Sequence, residues 1–187
     1  MLKALILAGG ESRRMGADKA LARYHGAPQF EYLFDLIHPL VDAVFISVHP
    51  DRILKTSLPV LVDKFFDAGP YGAIMTAFDL DPHCAWITVP CDMPDFDRFL
   101  LAELIYGRNT EMLATCFQDP STEMPEPLLA LWESKSYPVL KKYYSDHGSL
   151  RRLLSTEAVN ILQPLYPHKL MDVDTKEEQD KWRQRKS

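Results

Sequence analysis

The sequence predicts an α/β fold, with a mainly parallel sheet and helices on both faces. Three observations point to it. Short, compact apolar runs recur and stop at glycine, proline or a polar residue, as strands covered on both faces do. Between them, apolar residues repeat at spacings of three and four, the period of a helix lying on a sheet. The two patterns alternate through residue 106, which calls for right-handed crossovers and parallel strands.

The elements follow in order. Leu2 to Ala8 is a buried strand stopped by Gly9-Gly10. It is expected to be a strand and not a signal peptide, since it lacks a basic leader and a cleavage-type ending. Phe30, Leu33, Phe34, Ile37 and Leu40 mark a helix, with Pro28 near its start, where a missing N–H matters least. Ala43 to Val48 is a second strand and Leu58 to Val62 a third, carrying a proline. Gly69-Pro70 opens a helix that Asp81-Pro82 ends. Cys84 to Val89 is a strand ended by Pro90, and Asp95 can cap the next helix, with Phe99, Leu100 and Leu104 as its apolar stripe. Met112 to Phe117 and Leu128 to Trp132 read as strands around a turn-rich segment. Tyr137 to Tyr144 and Leu150 to Leu154 read as helices, and Val159 to Leu162 as a late strand. Thr175 and Glu178 form a capping box for a final helix whose basic end, Lys181 to Ser187, is expected to fray. With no repeat and no long linker, residues 1–187 are expected to form one domain.

Composition narrows the function classes. Lys and Arg total 21 against 26 Asp and Glu, a net charge of −5. A basic surface field is therefore lacking, and no nucleic-acid partner is expected. No apolar run approaches a membrane span, so no membrane partner is expected either. Three scattered cysteines, Cys84, Cys91 and Cys116, suit a reducing cytoplasm better than a disulfide framework or a four-ligand zinc site. The six histidines show no metal-type pairing.

The chemistry concentrates after the first strand. Residues 7–19 read Leu-Ala-Gly-Gly-Glu-Ser-Arg-Arg-Met-Gly-Ala-Asp-Lys. The loop leaves the sheet at its carboxyl edge, where ligands collect in open α/β folds. Gly9 and Gly10 let backbone N–H groups approach an anion, while Arg13, Arg14 and Lys19 add positive charge. The segment is neither G-x-x-x-x-G-K-[ST] nor G-x-G-x-x-G, which weighs against P-loop hydrolases and dinucleotide-binding dehydrogenases. A plain turn with solvent-facing arginines stays open as the alternative.

This segment resembles the signature of the molybdenum cofactor guanylyltransferases, members of the nucleotide-diphospho-sugar-transferase-like nucleotidyltransferases. The likeness continues in Val62-Asp63, Gly69-Pro70, Pro90-Cys91-Asp92-Met93-Pro94, Glu126-Pro127-Leu128-Leu129-Ala130 and Asp172-Val173-Asp174-Thr175. It implies a Rossmann-like, three-layer nucleotidyltransferase domain, with GTP and Mg²⁺ as ligands and molybdopterin as acceptor. By the same resemblance, Leu7, Ala8, Gly9 and Gly10 would hold the nucleotide through backbone groups. Arg14 and Lys19 would bind its phosphates, Ser47 and Asp63 would face the nucleoside, and Asp92 would hold Mg²⁺. Asp174 is expected either to bind metal or to precede a capped helix. Arg14, Lys19 and Asp92 are the expected catalytic residues. Arg151-Arg152 could receive the pterin's phosphate or form a solvated helix face.

The implied reaction is attack by a phosphate oxygen on the α-phosphorus of GTP, expelling pyrophosphate. An anionic phosphate needs no strong base, so position and charge neutralisation are the protein's task. The sequence departs from the family pattern in three places. Gly69-Pro70-Tyr71-Gly72-Ala73 shifts a glycine by one position, Ser47 replaces an asparagine, and Asp172 and Asp174 replace two more. Cytidylyl or other NTP transfer to molybdopterin or a sugar phosphate is the alternative reaction. A non-catalytic nucleotide-binding scaffold is the alternative from another class. A monomer or weak homo-oligomer is expected.

Overall fold

The structure is a computed structural model that describes residues 1–9, 19–65, 68–146 and 148–186. Gly10 and Arg14 therefore lie outside the described residues.

Among the described residues, seven strands form one sheet in the order β3-β2-β1-β4-β6-β5-β7. They are β1 (Leu2–Leu7), β2 (Ala43–Val48), β3 (Val60–Val62), β4 (Ala85–Pro90), β5 (Ala114–Gln118), β6 (Pro125–Trp132) and β7 (Val159–Leu162). Only β6 runs against the rest: it pairs antiparallel with β4 and β5, while the other pairings are parallel. The helices are α1 (Gln29–Ile37), α2 (Pro70–Leu80), α3 (Arg98–Tyr106), α4 (Ser136–Ser145), α5 (Leu150–Thr156) and α6 (Lys176–Lys186).

Both faces of the sheet are covered, giving three layers. Ile6, Ile46 and Val89 pack on one face against Phe30 and Leu33 of α1 and Leu101 and Leu104 of α3. Leu5, Trp86 and Trp132 pack on the other against Phe78 of α2, Leu140 of α4 and Leu153 of α5. Neighbours Leu5 and Ile6 thus serve opposite layers, as the pleat requires. This double burial is why β1, β2 and β4 read as continuous apolar runs.

Four expectations need correction. The third strand is only Val60–Val62. Pro59 has no N–H to give the ladder, although its carbonyl accepts from Ile46 N at 2.9 Å. The cap of α3 is Asp97, not Asp95: its carboxylate accepts from Phe99 N and Leu100 N. Phe99 faces solvent, and the buried stripe is Leu100, Leu101 and Leu104. The basic C-terminal segment is helical through Lys186 and not frayed there. The capping box forms, with Glu178 N to Thr175 Oγ1 at 3.2 Å and Thr175 N to Glu178 Oε2 at 2.9 Å. Farther along α6, Trp182 is buried and gives its indole N–H to Asp95 at 3.0 Å, and Lys186 reaches the same carboxylate. Asp95 is thus used by a helix 87 residues farther along the chain.

Two glycines are fixed by geometry. Gly69 enters α2 with φ +54°, a left-handed value that side chains disfavour. At Gly72 a Cβ would lie 1.9 Å from the carbonyl oxygen of Phe65. The shifted glycine is therefore where α2 must press against the backbone after β3.

Candidate active site

The carboxyl ends of β1, β2 and β4 lie side by side. Leu7 is level with Ser47 on one side and Pro90 on the other. At ordinary strand spacing, Ser47 and Pro90 are about 10 Å apart, with the end of β1 between them. Two polar groups flank that end.

The first group belongs to β1, β2 and β3. Ala8 N donates to Ser47 O at 3.1 Å, and the Arg52 guanidinium donates to the Ala8 carbonyl. Ser47 Oγ donates to Asp63 Oδ1 at 2.7 Å, and Asp63 N donates to Val48 O at 3.0 Å. Ser47 and Asp63 are both buried. Burial pushes the Asp63 carboxyl up to about 6, against the opposing pull of the Ser47 hydroxyl and of His49. Gly9 closes over this pair: a Cβ there would stand 3.3 Å from His49 N and 3.4 Å from Asp63 Oδ2. Leu7, Ala8, Gly9, Ser47 and Asp63 therefore converge. When ionised, a buried carboxylate whose Oδ2 faces a glycine is suited to accept N–H groups that approach over the turn.

The second group gathers on β4's exit. Lys19 Nζ lies 3.0 Å from Asp92 Oδ2 and also touches Asp174 Oδ1. Val173 N donates to Asp92 O at 2.8 Å, which pins the 172–174 segment to the end of β4. Glu178 accepts from Asp174 N at 2.8 Å, so the capping box also sets the pose of Asp174. Burial works against the charge on Lys19, but Asp92 and Asp174 outweigh it and hold the ammonium above its ordinary value. Asp172 joins the cluster. Desolvation, then repulsion from Asp92, Glu126 and Asp174, lifts it to about 8, although its side chain reaches solvent. Asp92 Oδ1 is buried with no hydrogen-bond partner among the described residues. An orphaned carboxylate oxygen beside a second carboxylate fits a hard divalent cation, which takes several oxygen ligands. The described residues contain no group of three or more His, Cys, Asp or Glu arranged around a metal, so a bound ion would draw further ligands from phosphate and water.

Of the expected residues, Lys19, Asp92 and Asp174 come together on one side of β1's end, and Leu7, Ala8, Gly9, Ser47 and Asp63 on the other. Asp95 is turned to α6. Cys91 is buried as a small apolar residue would be. Asp172 and Glu126 were not singled out as site residues. Glu126 is buried at the start of the one reversed strand, which brings its amino end to the carboxyl edge of the others. Burial raises its pKa, opposed by the Leu128 N–H and by Arg151 and reinforced by Asp119 and Asp92. The family likeness included the segment that begins at Glu126, but a strand's direction leaves no mark in its own residues, so the sequence did not place Glu126 at the site edge.

On the α2/α4/α5 side of the same edge opens a cavity of about 870 Å³, lined in part by Pro70, Tyr71, Leu128, Tyr144, Leu150 and Arg151. It is of ligand size.

Residues 4–161 match the model of the MobA-like NTP transferase domain. The chain belongs to that family. Over 134 residues it is 35% identical to the molybdenum cofactor biosynthesis bifunctional protein of Synechocystis sp., a match covering 70% of this chain and 39% of that longer protein. It is 29% identical to the molybdenum cofactor guanylyltransferase of Serratia proteamaculans, over 97% of this chain and 94% of the relative. Among solved structures, molybdopterin-guanine dinucleotide biosynthesis protein A from Archaeoglobus fulgidus superposes with a TM-score of 0.80 at 16% identity, covering 98% and 97% of the two chains. That likeness establishes the fold: a three-layer α/β architecture shared with MobA-like proteins. No helix among the described residues is long and apolar enough to cross a membrane.

Proposed function

We propose that this protein is a molybdenum cofactor guanylyltransferase, transferring GMP from GTP to the terminal phosphate of molybdopterin. An acceptor phosphate oxygen bonds to the α-phosphorus of GTP, the bond from that phosphorus to the α,β-bridging oxygen breaks, and pyrophosphate leaves. The observation that carries this reading is the meeting of Lys19 with Asp92 and Asp174 beside the Gly9 turn. Relatives named for this activity align along nearly the whole chain and support it.

Each group then has a task. Ser47 holds Asp63 so that its carboxylate accepts N–H donors of the guanine ring, with Gly9 allowing close approach. Lys19 neutralises phosphate oxygens as charge builds on the leaving pyrophosphate. Asp92 and Asp174 would hold Mg²⁺, which when bound supplies further charge neutralisation along the triphosphate. Gly10 and Arg14 are assigned phosphate contacts by the family motif alone. The cavity at Tyr71 and Tyr144 is the proposed acceptor site: its walls are apolar and aromatic, and Arg151 can meet the acceptor's phosphate. No residue is asked to act as a strong base, because the attacking phosphate is already anionic.

The test offers GTP, CTP, ATP and UTP separately with Mg²⁺ and molybdopterin, and measures pyrophosphate and dinucleotide. GTP is expected to be preferred. A preference for CTP would overturn the base assignment alone, and nucleotide binding without turnover would favour a scaffold. Arg151→Ala is expected to raise the KM for molybdopterin and leave that for GTP unchanged.

A further inference from the structure

The ammonium of Lys19 sits where a cation shared by Asp92 and Asp174 would sit, 3.0 Å from Asp92 Oδ2 and in contact with Asp174 Oδ1. Two further carboxyl groups, Asp172 and Glu126, lie near enough to interact with Asp92. One ammonium and one divalent ion cannot both occupy the space between two carboxylates. We infer that Lys19 is the resting occupant of the metal position, and that it leaves for the triphosphate when nucleotide and divalent ion arrive together. The inference rests on the proposed function.

Three observations support the exchange. Lysine is a point charge on a flexible stem, so its ammonium can move without moving the backbone. Its side chain is not enclosed: 23% of it remains accessible. The ammonium satisfies only one oxygen of Asp92 and leaves Oδ1 buried and unpartnered, an arrangement better completed by an ion with several oxygen ligands. Charge balance gives the direction. Two carboxylates with Lys19 carry a net charge of minus one. A divalent ion between them neutralises the pair and releases the ammonium to the phosphates beside the Gly9 turn. Metal and triphosphate must then favour each other's binding by the same factor. Without nucleotide the carboxylates bind free divalent ions only weakly, because Lys19 must first be displaced.

The test needs no catalysis. Mn²⁺ binding to the nucleotide-free protein is followed by electron paramagnetic resonance for the wild type, Lys19→Met and Lys19→Gln, with circular dichroism confirming the fold. Both variants are expected to bind Mn²⁺ about tenfold or more tighter than the wild type. Adding Asp92→Asn should abolish the gain, which locates it. Equal or weaker binding by a folded variant overturns the exchange. A second measurement uses the wild type alone: saturating Mn²⁺ should speed acylation of Lys19 severalfold relative to the other lysines, read by mass spectrometry. Unchanged labelling with Mn²⁺ bound at Asp92 overturns it as well. If Mn²⁺ binding fails to respond while GMP transfer is observed, the exchange falls and the guanylyltransferase reading stands. If binding responds but no nucleotide is turned over, the reverse holds.

Discussion

Asp63→Asn should make the protein more stable at neutral pH while weakening its hold on GTP. The carboxyl is pushed from an ordinary 3.8 to about 6, first by burial, with Ser47 and His49 opposing. That rise corresponds to about 3 kcal/mol against ionisation in the folded state. Solvent that still reaches the site trims the effect to about 1–2 kcal/mol. The sign follows from proton binding. Between the unfolded value and about 6, the folded protein binds the proton more readily than the unfolded chain, so stability falls as pH rises through this window. Asparagine keeps the acceptor for the Ser47 hydroxyl and never ionises. Thermal unfolding at pH 8 should place the variant about 3–6 °C above the wild type. At pH 5 the gap should shrink to about half, because part of the wild-type population is already protonated when folded. A gap that is absent at pH 8, or that stays constant between the two pH values, would refute the argument. Loss of GTP affinity by the stabilised variant would identify Asp63 as a residue held for ligand at the expense of the fold.

Three further outcomes are expected. Lys19→Ala and Asp92→Ala should each lose about 3–4 kcal/mol of transition-state stabilisation in pyrophosphate release, with far-ultraviolet circular dichroism retained; a fully active variant removes that residue from the mechanism. Gly72→Ala drives a methyl into the Phe65 carbonyl and should lower stability by about 1–3 kcal/mol or prevent folding, read as melting temperature or soluble yield. Trp182→Ala should cost about 3–5 kcal/mol and open α6 to proteases, whereas Trp182→Phe, which gives up chiefly the hydrogen bond to Asp95, should cost about 1 kcal/mol.

The parts of this molecule legible in its sequence are those decided by neighbours along the chain. Ala43–Val48 and Val159–Leu162 are strands at the limits their apolar runs suggest, and Thr175 with Glu178 caps α6 as the spacing requires. The carboxyl-edge rule puts Lys19 and Asp92 at one end of the sheet, and the two side chains do meet there. What stayed hidden depends on distant partners. Whether Asp95 or Asp97 caps α3 is settled by Trp182, whose indole arrives from the C-terminal helix and takes Asp95 away. The reversed direction of β6, which delivers Glu126 to the site edge, is decided by pairing with β4 and β5.

The same logic accounts for Asp172 and Asp174. Each is an ordinary acidic residue in its own segment, and either could have been only the lead-in to a capped helix. Their chemistry comes from Val173 N bonding to Asp92 O, which folds the segment onto the end of β4 and gathers carboxylates around the Lys19 ammonium. A cluster of that kind is unfavourable unless a cation sits in it. Lys19 supplies one from a position 155 residues before Asp174. The acidic edge and the lysine therefore require each other in the resting protein, and whatever displaces the lysine must bring compensating positive charge with it.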